Sequence, residues 1–154
     1  VAVGVDADPP LDDQLSRLAE RLGSAPFSLR GVDRARYHAA AVFTSNYVIA
    51  LHAAAARIWQ SAGLPAESAR AALATLSRGT VENIAAHDLA QALTGPIARG
   101  DIATVAGHLA VLQNDLRSLT LYRALAHELL ALPLQIAPDL RAAVIRVLDD
   151  PLQK

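Results

Sequence analysis

The feature that most constrains the fold is a helical stretch from about Arg34 to Ala62, which is apolar on nearly every side. It ends at the sequence AGLP, because glycine and proline terminate helices. This stretch is longer than the average helix of a globular protein, and a helix that is apolar all round must be covered all round. The pattern therefore predicts a buried helix, either at the centre of a bundle or in a dimer interface.

The same stretch bears on where the protein works. Its most apolar part, 39–56, is interrupted by Thr44, Ser45, Asn46 and His52, which argues against a membrane span. The start of the chain has no signal-peptide pattern, since acidic residues and prolines follow the first five residues. A net charge of -1 gives no field that attracts nucleic acid or an anionic membrane. We therefore expect a cytoplasmic protein with no nucleic-acid or membrane partner.

Two strand patterns precede the long helix, and only helical patterns follow it. VAVGV (1–5) and APFSLRGV (25–32) favour strands, and LDDQLSRLAERLG (11–23) between them repeats leucine at helical spacing. Further helices are expected at about 65–86, 87–93, 101–112, 115–132 and 138–148. The sequence predicts a mainly α fold, a multi-helical bundle (34–154) preceded by a short β-α-β piece (1–33) that is too small to make a core alone.

Residue types that the chain lacks exclude several chemistries. There is no cysteine, which excludes disulfides, thiolate catalysis and Cys-ligated metals. The single lysine is Lys154, so no interior lysine can form a Schiff base. Neither HxxxH nor HExxH occurs, and His52, His87–Asp88 and Asp115 match a helical metal phosphohydrolase only loosely. We predict no metal site. Arginine in place of lysine, with abundant alanine, is typical of a GC-rich bacterial genome.

Polar residues on the long helix form one strip. His38, Ser45 and His52 lie within about 40° of one line along the helix, with Asn46 to one side. Polar groups on an apolar helix must be hydrogen-bonded or face a cavity. Two interpretations stay open for this strip: hydrogen bonds between packed helices, or the lining of a substrate cleft.

Later helices carry two smaller polar groups. Thr80, Asn83 and His87 share a face, and Asn83 lies near Gly79, where the helix is weakened and a ligand can approach. Thr104 and His108 form an i, i+4 pair, and His108 suits an acid or base near neutral pH. A solvated face or a core histidine is the alternative for each group.

The loop ALTGPIARGD (92–101) has more conformational constraint than a plain connector needs. Two glycines permit unusual backbone angles and a proline fixes the chain between them. Such a turn can direct Thr94, Gly95 and Arg99 toward one substrate, with Arg99 holding an anionic group. The alternative is a structural corner, in which Asp101 caps the next helix and pairs with Arg99.

Two motifs carry a resemblance to a known family. YHAAAVFTSNY (37–47) and ALTGPIARGD, joined by AGLP and TVEN, resemble the C-terminal helical domain of a bacterial Rossmann-like family, domain of unknown function 2520, over about 33–122. The preceding segment resembles the last strand–helix–strand of that family's dinucleotide-binding domain. The layout is distantly similar to pyrroline-5-carboxylate reductase, ketopantoate reductase and other dehydrogenases of the 6-phosphogluconate type.

The resemblance implies a bundle of the 6-phosphogluconate-dehydrogenase C-terminal type after a β-α-β remnant of a Rossmann domain. It also implies the substrate-binding and dimerisation half of an NAD(P)-dependent oxidoreductase, acting as a homodimer on a small, anionic substrate. NAD or NADP would bind outside this chain, because the glycine-rich fingerprint is absent.

With no interior lysine, His38 and His108 are the expected catalytic residues, and Tyr122 and Asp101 are further proton donors. Ser45, Asn46, Asn83, Thr94, Gly95 and Arg99 are the expected substrate-binding residues. The alternative is a non-catalytic ligand-binding or scaffolding protein that keeps this architecture.

Overall fold

The computed structural model describes residues 1–150, which form a short parallel sheet followed by helices. In chain order the elements are β1 (Ala2–Val5), α1 (Leu11–Arg21), β2 (Ala25–Ser28), α2 (Arg34–Thr44), α3 (Asn46–Ser61), α4 (Ala66–Ala86), α5 (Leu89–Ala92), α6 (Pro96–Arg99), α7 (Ile102–Leu112), α8 (Leu116–Ala131) and α9 (Pro138–Asp149). The chain is therefore mainly helical with a two-stranded sheet near its start, as the sequence predicts. The 6-phosphogluconate-dehydrogenase type of bundle stays a prediction.

The chain divides into two units, Val1–Leu51 and His52–Lys154. This division falls later than the predicted domain boundary at 33/34, because α2 and the start of α3 group with the β-α-β segment. Each unit is described by itself below.

The first unit contains a small parallel sheet. Ala2 of β1 lies opposite Ala25 of β2, and α1 makes the connection between the two strands. The leucine stripe of α1 stays exposed along its length, at Leu11, Leu15, Leu18 and Leu22. A β-α-β unit of this size therefore buries little of the apolar surface that its sequence provides, which is the behaviour expected of two strands and one helix.

The long helix is broken and largely exposed, so the prediction that it lies at the centre of a bundle is wrong for the single chain, and its place in a dimer interface stays a prediction. The break lies at Ser45, whose hydroxyl donates to the Ala41 carbonyl oxygen at 2.7 Å and so competes with the backbone ladder. None of α2 is buried, and Ala54 is the one buried residue of α3. By length and composition alone, 34–61 also suffices to cross a membrane. The pattern correctly predicted an apolar helix but not what covers it.

The hydrophobic core of the second unit is built by its last four helices. The buried side chains recur at helical spacing along α7 and α8 and continue on α9, and α6 adds one more: Ile97, Val105, Leu109, Leu112, Leu119, Ala126, Leu130, Val144 and Leu148. A fully buried leucine or valine contributes about 1.5–3 kcal/mol. These helices therefore form the scaffold, and α4 and α5 lie beside it with little burial of their own.

Aspartates fix where three helices of this unit begin. Asp88, Asp101 and Asp115 are the N-caps of α5, α7 and α8, and each accepts a hydrogen bond from the backbone N–H three residues on. Such a bond satisfies one of the amides that the first turn leaves unpaired. The start of α7 at Asp101 confirms the cap that the sequence predicts.

Candidate functional site

Three adjoining cavities of the second unit surround the turn that carries Thr94. The Asn83 cavity, about 470 Å³, has the polar lining residues Thr80, Asn83, Thr94 and Glu128. The Tyr122 cavity, about 240 Å³, shares Thr94 and Leu129 with it. The Gln135 cavity, about 910 Å³, shares Leu89, Leu93 and Leu132 with it on the other side. Because each outer cavity shares lining residues with the Asn83 cavity, the three are together called the Thr94 groove below.

The loop between α5 and α7 folds as a corner whose first half also lines the groove. Gly95 has φ +97° and ψ −170°, a combination that essentially only glycine adopts. Pro96 starts the single-turn helix α6, and Ile97 inserts into the core with 5% exposure. This rigid turn holds Thr94 at the junction of the Asn83 and Tyr122 cavities. The loop is therefore a structural corner that also places Thr94 on two cavities, and its role as a wall of a substrate pocket stays a prediction.

Arg99 is the residue of this loop that lies away from the groove. It is exposed at the end of α6, and it lines none of the four cavities found along residues 1–150. The Arg99 charge contributes to lowering the pKa of Asp101. The anionic group predicted for Arg99 would therefore bind outside the Thr94 groove.

The Tyr122 cavity contains a tyrosine–histidine pair. The Tyr122 hydroxyl oxygen of α8 lies 3.1 Å from His108 Nδ1 of α7, and the two rings meet edge to face at 86°. The pair is held by the core on which both helices pack, because Leu109 and Ala126 beside it are buried. A phenol and an imidazole at this distance can exchange a proton or hold one between them.

Burial raises the pKa of the Tyr122 phenol above its usual value, because the half-buried ring disfavours the phenolate. The hydroxyl therefore stays protonated at neutral pH and can donate a hydrogen bond into the Tyr122 cavity. The sequence reasoning included Tyr122 only among possible proton donors, whereas the structure makes it a lining residue of the groove next to His108.

Asp101 supports this site from outside the cavity. The Thr104 hydroxyl donates to Asp101 Oδ2 at 2.7 Å, and the Thr104 amide donates to Oδ1 at 3.1 Å. These two hydrogen bonds are the main reason that the pKa of Asp101 is lowered, with smaller contributions from the charges of Arg99 and His108. Asp101 is thus a helix cap held as a carboxylate, which is a poor proton donor. Its predicted alternative role as a donor is not favoured by this arrangement.

The Asn83 cavity combines an apolar floor with polar groups that have no partner inside the described chain. Ile84, Leu89, Leu93, Leu129 and Leu132 provide the apolar lining. Among residues 1–150, no side-chain hydrogen bond or ion pair engages Asn83, Thr94 or Glu128. Glu128 was missed by the sequence reasoning, because a single carboxylate on an amphipathic helix is typical of a solvated face.

Three of the predicted site residues belong to the first unit. His38 is exposed on α2, and the Ser45 hydroxyl lies 2.8 Å from Asn46 Oδ1 at the break between α2 and α3. None of these three lines any of the cavities found in the described part of the chain. The structure brings together His108, Asn83 and Thr94 around one groove, with Gly95 forming the turn. His38, Ser45 and Asn46 remain predictions on the other unit.

Two further polar groups of the second unit have structural roles. His52 Nε2 lies 2.7 Å from the Ser77 hydroxyl and so links α3 to α4, which is the helix–helix bond that the sequence offered as one interpretation of the polar strip. Arg57 lines a separate cavity of about 500 Å³ near Asp115, the N-cap of α8. Within residues 1–150 there is no group of three or more His, Asp or Glu side chains suited to a metal ion.

Comparison with known families identifies the family to which the chain belongs. Its sequence matches the family described as Domain of unknown function (DUF2520) over residues 1–129. The chain belongs to this family. The match covers both segments in which the resemblance was seen, the β-α-β segment and 33–122, and continues along α8 to residue 129. Searches of curated proteins and of solved structures found no match.

Proposed function

We propose that this chain is the substrate-binding and dimerisation half of an NAD(P)-dependent oxidoreductase that acts on a small molecule in the bacterial cytoplasm. The observation that supports this best is the Tyr122–His108 pair at one end of an apolar groove. Reduction of a carbonyl or imine requires a proton on the heteroatom as well as a hydride on carbon. Tyr122 would hold that proton against the substrate oxygen or nitrogen, with His108 restoring it from solvent.

The groove has the composition of a small-molecule site. Its leucines and Ile84 would hold the apolar part of the substrate, while Asn83 and Thr94 would orient polar groups through hydrogen bonds. Thr94 lies at the junction with the Tyr122 cavity, so a substrate seated in the Asn83 cavity would extend toward the tyrosine hydroxyl. The anionic group expected of the substrate would reach Arg99 only outside this groove.

The β-α-β segment does not fit a dinucleotide. In Rossmann folds the pyrophosphate binds at the first turn between strand and helix, over glycines and free backbone amides. Here the turn after β1 reads DADPP (6–10), and Asp12 and Asp13 occupy the first turn of α1. These carboxylates would repel a pyrophosphate. NAD or NADP would therefore bind elsewhere in the gene product, and the residues described contribute no step that involves it.

The second candidate is a ligand-binding or scaffolding protein that has no redox chemistry, and the Asn83 cavity, with its apolar lining and its polar groups, suits such a protein equally well. In that case the Thr94 groove would still bind a small molecule, but replacing the Tyr122 hydroxyl would affect binding and no reaction.

The dimerisation part of the proposal is supported by α4. One residue of this helix is buried, Ala69, while Leu76 and Val81 have 67% and 64% of their surface exposed. Apolar faces of this size are uncommon on soluble monomers and are typical of interfaces. A second copy would cover α4 beside Ile84, which also lines the Asn83 cavity. Light scattering should give a particle of twice 16.2 kDa for the wild type, and Leu76→Glu should give a monomer. A wild-type monomer at micromolar concentration would contradict the proposed dimer.

The catalytic part is tested by reduction assays on the complete gene product. A panel of aliphatic ketones and cyclic imines is offered with NADPH or NADH, and loss of the reduced nicotinamide is followed. For any compound that is turned over, Tyr122→Phe should lower kcat by about 10²-fold or more, as expected for loss of a general acid. The control Tyr47→Phe removes a hydroxyl from the first unit and should leave kcat unchanged. Equal rates for Tyr122→Phe and wild type would reject Tyr122 as the donor.

A further inference from the structure

The charged side chains of the Thr94 groove favour a cationic substrate, whereas the loop sequence predicts an anionic one. Along its three cavities the charged side chains are two carboxylates, Glu128 and Asp88, and no arginine or lysine lines it among residues 1–150. Asp88 already accepts the Gln91 amide at 2.9 Å as the cap of α5. Glu128 has no such partner, so it is the carboxylate available to a ligand.

One guanidinium that bonds to a residue of the groove does not change this balance. Arg141 donates to the Leu132 carbonyl oxygen at 3.5 Å, and its side chain is not part of the groove lining. His127, the neighbour of Glu128 on α8, lies 2.9 Å from Asp149 Oδ1 of α9. Glu128 therefore faces the Asn83 cavity without a basic partner.

We propose that the Asn83 cavity binds a small alkylammonium group, with Glu128 pairing with the cationic nitrogen. Ammonium groups have three N–H donors, and the Thr94 hydroxyl and Asn83 amide oxygens are further acceptors on the same cavity. The alkyl part lies over the leucine floor, where each buried methylene strengthens binding by about fourfold. This inference rests on the proposed small-molecule site and specifies its ligand chemistry.

The experiment compares three isosteric probes on the 154-residue protein: n-hexylammonium, hexanoate and 1-hexanol. Binding is followed by amide chemical shifts, which also report whether the residues around Asn83 and Thr94 respond. Hexylammonium should bind most tightly, hexanol less tightly and hexanoate least. Extending the amine from butyl to hexyl should lower Kd by about fourfold per methylene.

Two matched variants isolate the carboxylate. Glu128→Gln keeps the shape and removes the charge, and it should raise the Kd of hexylammonium by about threefold to fivefold, the size expected for an ion pair at an exposed carboxylate, while hexanol binding is unchanged. Glu82→Gln removes the same charge from α4 next to Asn83, but outside the lining, and should leave hexylammonium binding within about twofold. Retained hexanol binding shows that Glu128→Gln still folds.

The other outcomes overturn the inference in distinguishable ways. If hexanoate binds most tightly and Arg99→Ala weakens it, the ligand is anionic, and the proposed function stands while the charge assignment is wrong. If none of the probes shifts the amides around Asn83, the groove is not a small-molecule site, and both proposals are wrong. If these amides shift with protein concentration and hexylammonium then produces no further shift, a second copy occupies the cavity and the ammonium site is rejected.

Discussion

Replacing Gly100 by alanine is expected to be the most damaging glycine substitution in this chain. Gly100 ends α6 with φ +65°, in the left-handed region that costs other L-residues about 1–2 kcal/mol. A Cβ built there lies 3.0 Å from Leu140 Cβ and 2.9 Å from Ile136 Cδ1. The Leu140 atom is fixed to the backbone of α9, so it cannot yield without moving the helix.

The cost of the left-handed backbone at Gly100 and the cost of crowding at its Cβ position add. Overpacking in a core costs typically about 1–3 kcal/mol, so Gly100→Ala should lower the free energy of unfolding by about 2–5 kcal/mol. Gly63→Ala separates the effects, because Gly63 has φ +82° but no atom within 4 Å of its Cβ position, and should cost only the conformational part. Gly79→Ala, inside α4 with open space around it, should stabilise the protein by about 1 kcal/mol.

Denaturant unfolding followed by far-UV circular dichroism measures all three variants against wild type. The order of stability should be Gly79→Ala, wild type, Gly63→Ala and then Gly100→Ala. If Gly100→Ala costs no more than Gly63→Ala, α9 does not pack on the end of α6 as described, and the corner that holds Thr94 is placed wrongly.

Three other predictions concern single side chains. In alkaline titration followed by tyrosinate absorbance, Tyr122 should ionise above the usual pH of a tyrosine, because burial raises its pKa in the folded state. Its contribution to stability is present below the unfolded pKa and is lost as pH rises through the folded pKa, and Tyr122→Phe should remove that loss. The pKa values of Asp101 and Asp115 are lowered in the folded state, chiefly by hydrogen bonds from the Thr104 and Ser118 hydroxyls. The stabilisation that these two carboxylates provide is therefore present above the unfolded pKa and is lost as pH falls through the folded pKa. Thr104→Val should reduce the loss of stability that unfolding curves show below pH 4. Arg99→Ala should change the free energy of unfolding by less than about 0.5 kcal/mol, as for other surface substitutions, and a loss above about 2 kcal/mol would instead make Arg99 part of the corner.

The helices were predictable because their signals are local. Leucine spacing, the aspartate caps at 101 and 115 and Pro138 at the start of α9 all act within one or two turns of the chain. The single-turn helix α6 was missed, since four residues between two glycines have no periodicity to detect. The break at Ser45 was also missed, because a serine that bonds back to its own helix has the same sequence pattern as one that does not.

The candidate site was predictable only in part, because a pattern gives the face of a residue but not its partner. The sequence singled out Asn83, Thr94 and His108, and the structure places them on the lining of the Asn83 and Tyr122 cavities, while their roles toward a substrate stay predictions. Arg99 was expected beside them because of its position in the loop, yet the turn of α6 carries it away. Glu128 comes from a distant segment, and only the fold of the second unit places it on the same cavity as Asn83.

The central proposal, that this chain forms half of an NAD(P)-dependent enzyme, is tested most directly by titrating NADH and NADPH into two proteins and following nicotinamide fluorescence. The first is the complete gene product, and the second is the 154-residue chain alone. We predict a complex of micromolar or lower Kd with the complete product and no measurable complex with the chain alone, in which the strand-to-helix turn after β1 is acidic. No dinucleotide complex with the complete product would contradict the oxidoreductase proposal and leave the ligand-binding alternative, and a tight complex with the chain alone would contradict the assignment of the acidic turn.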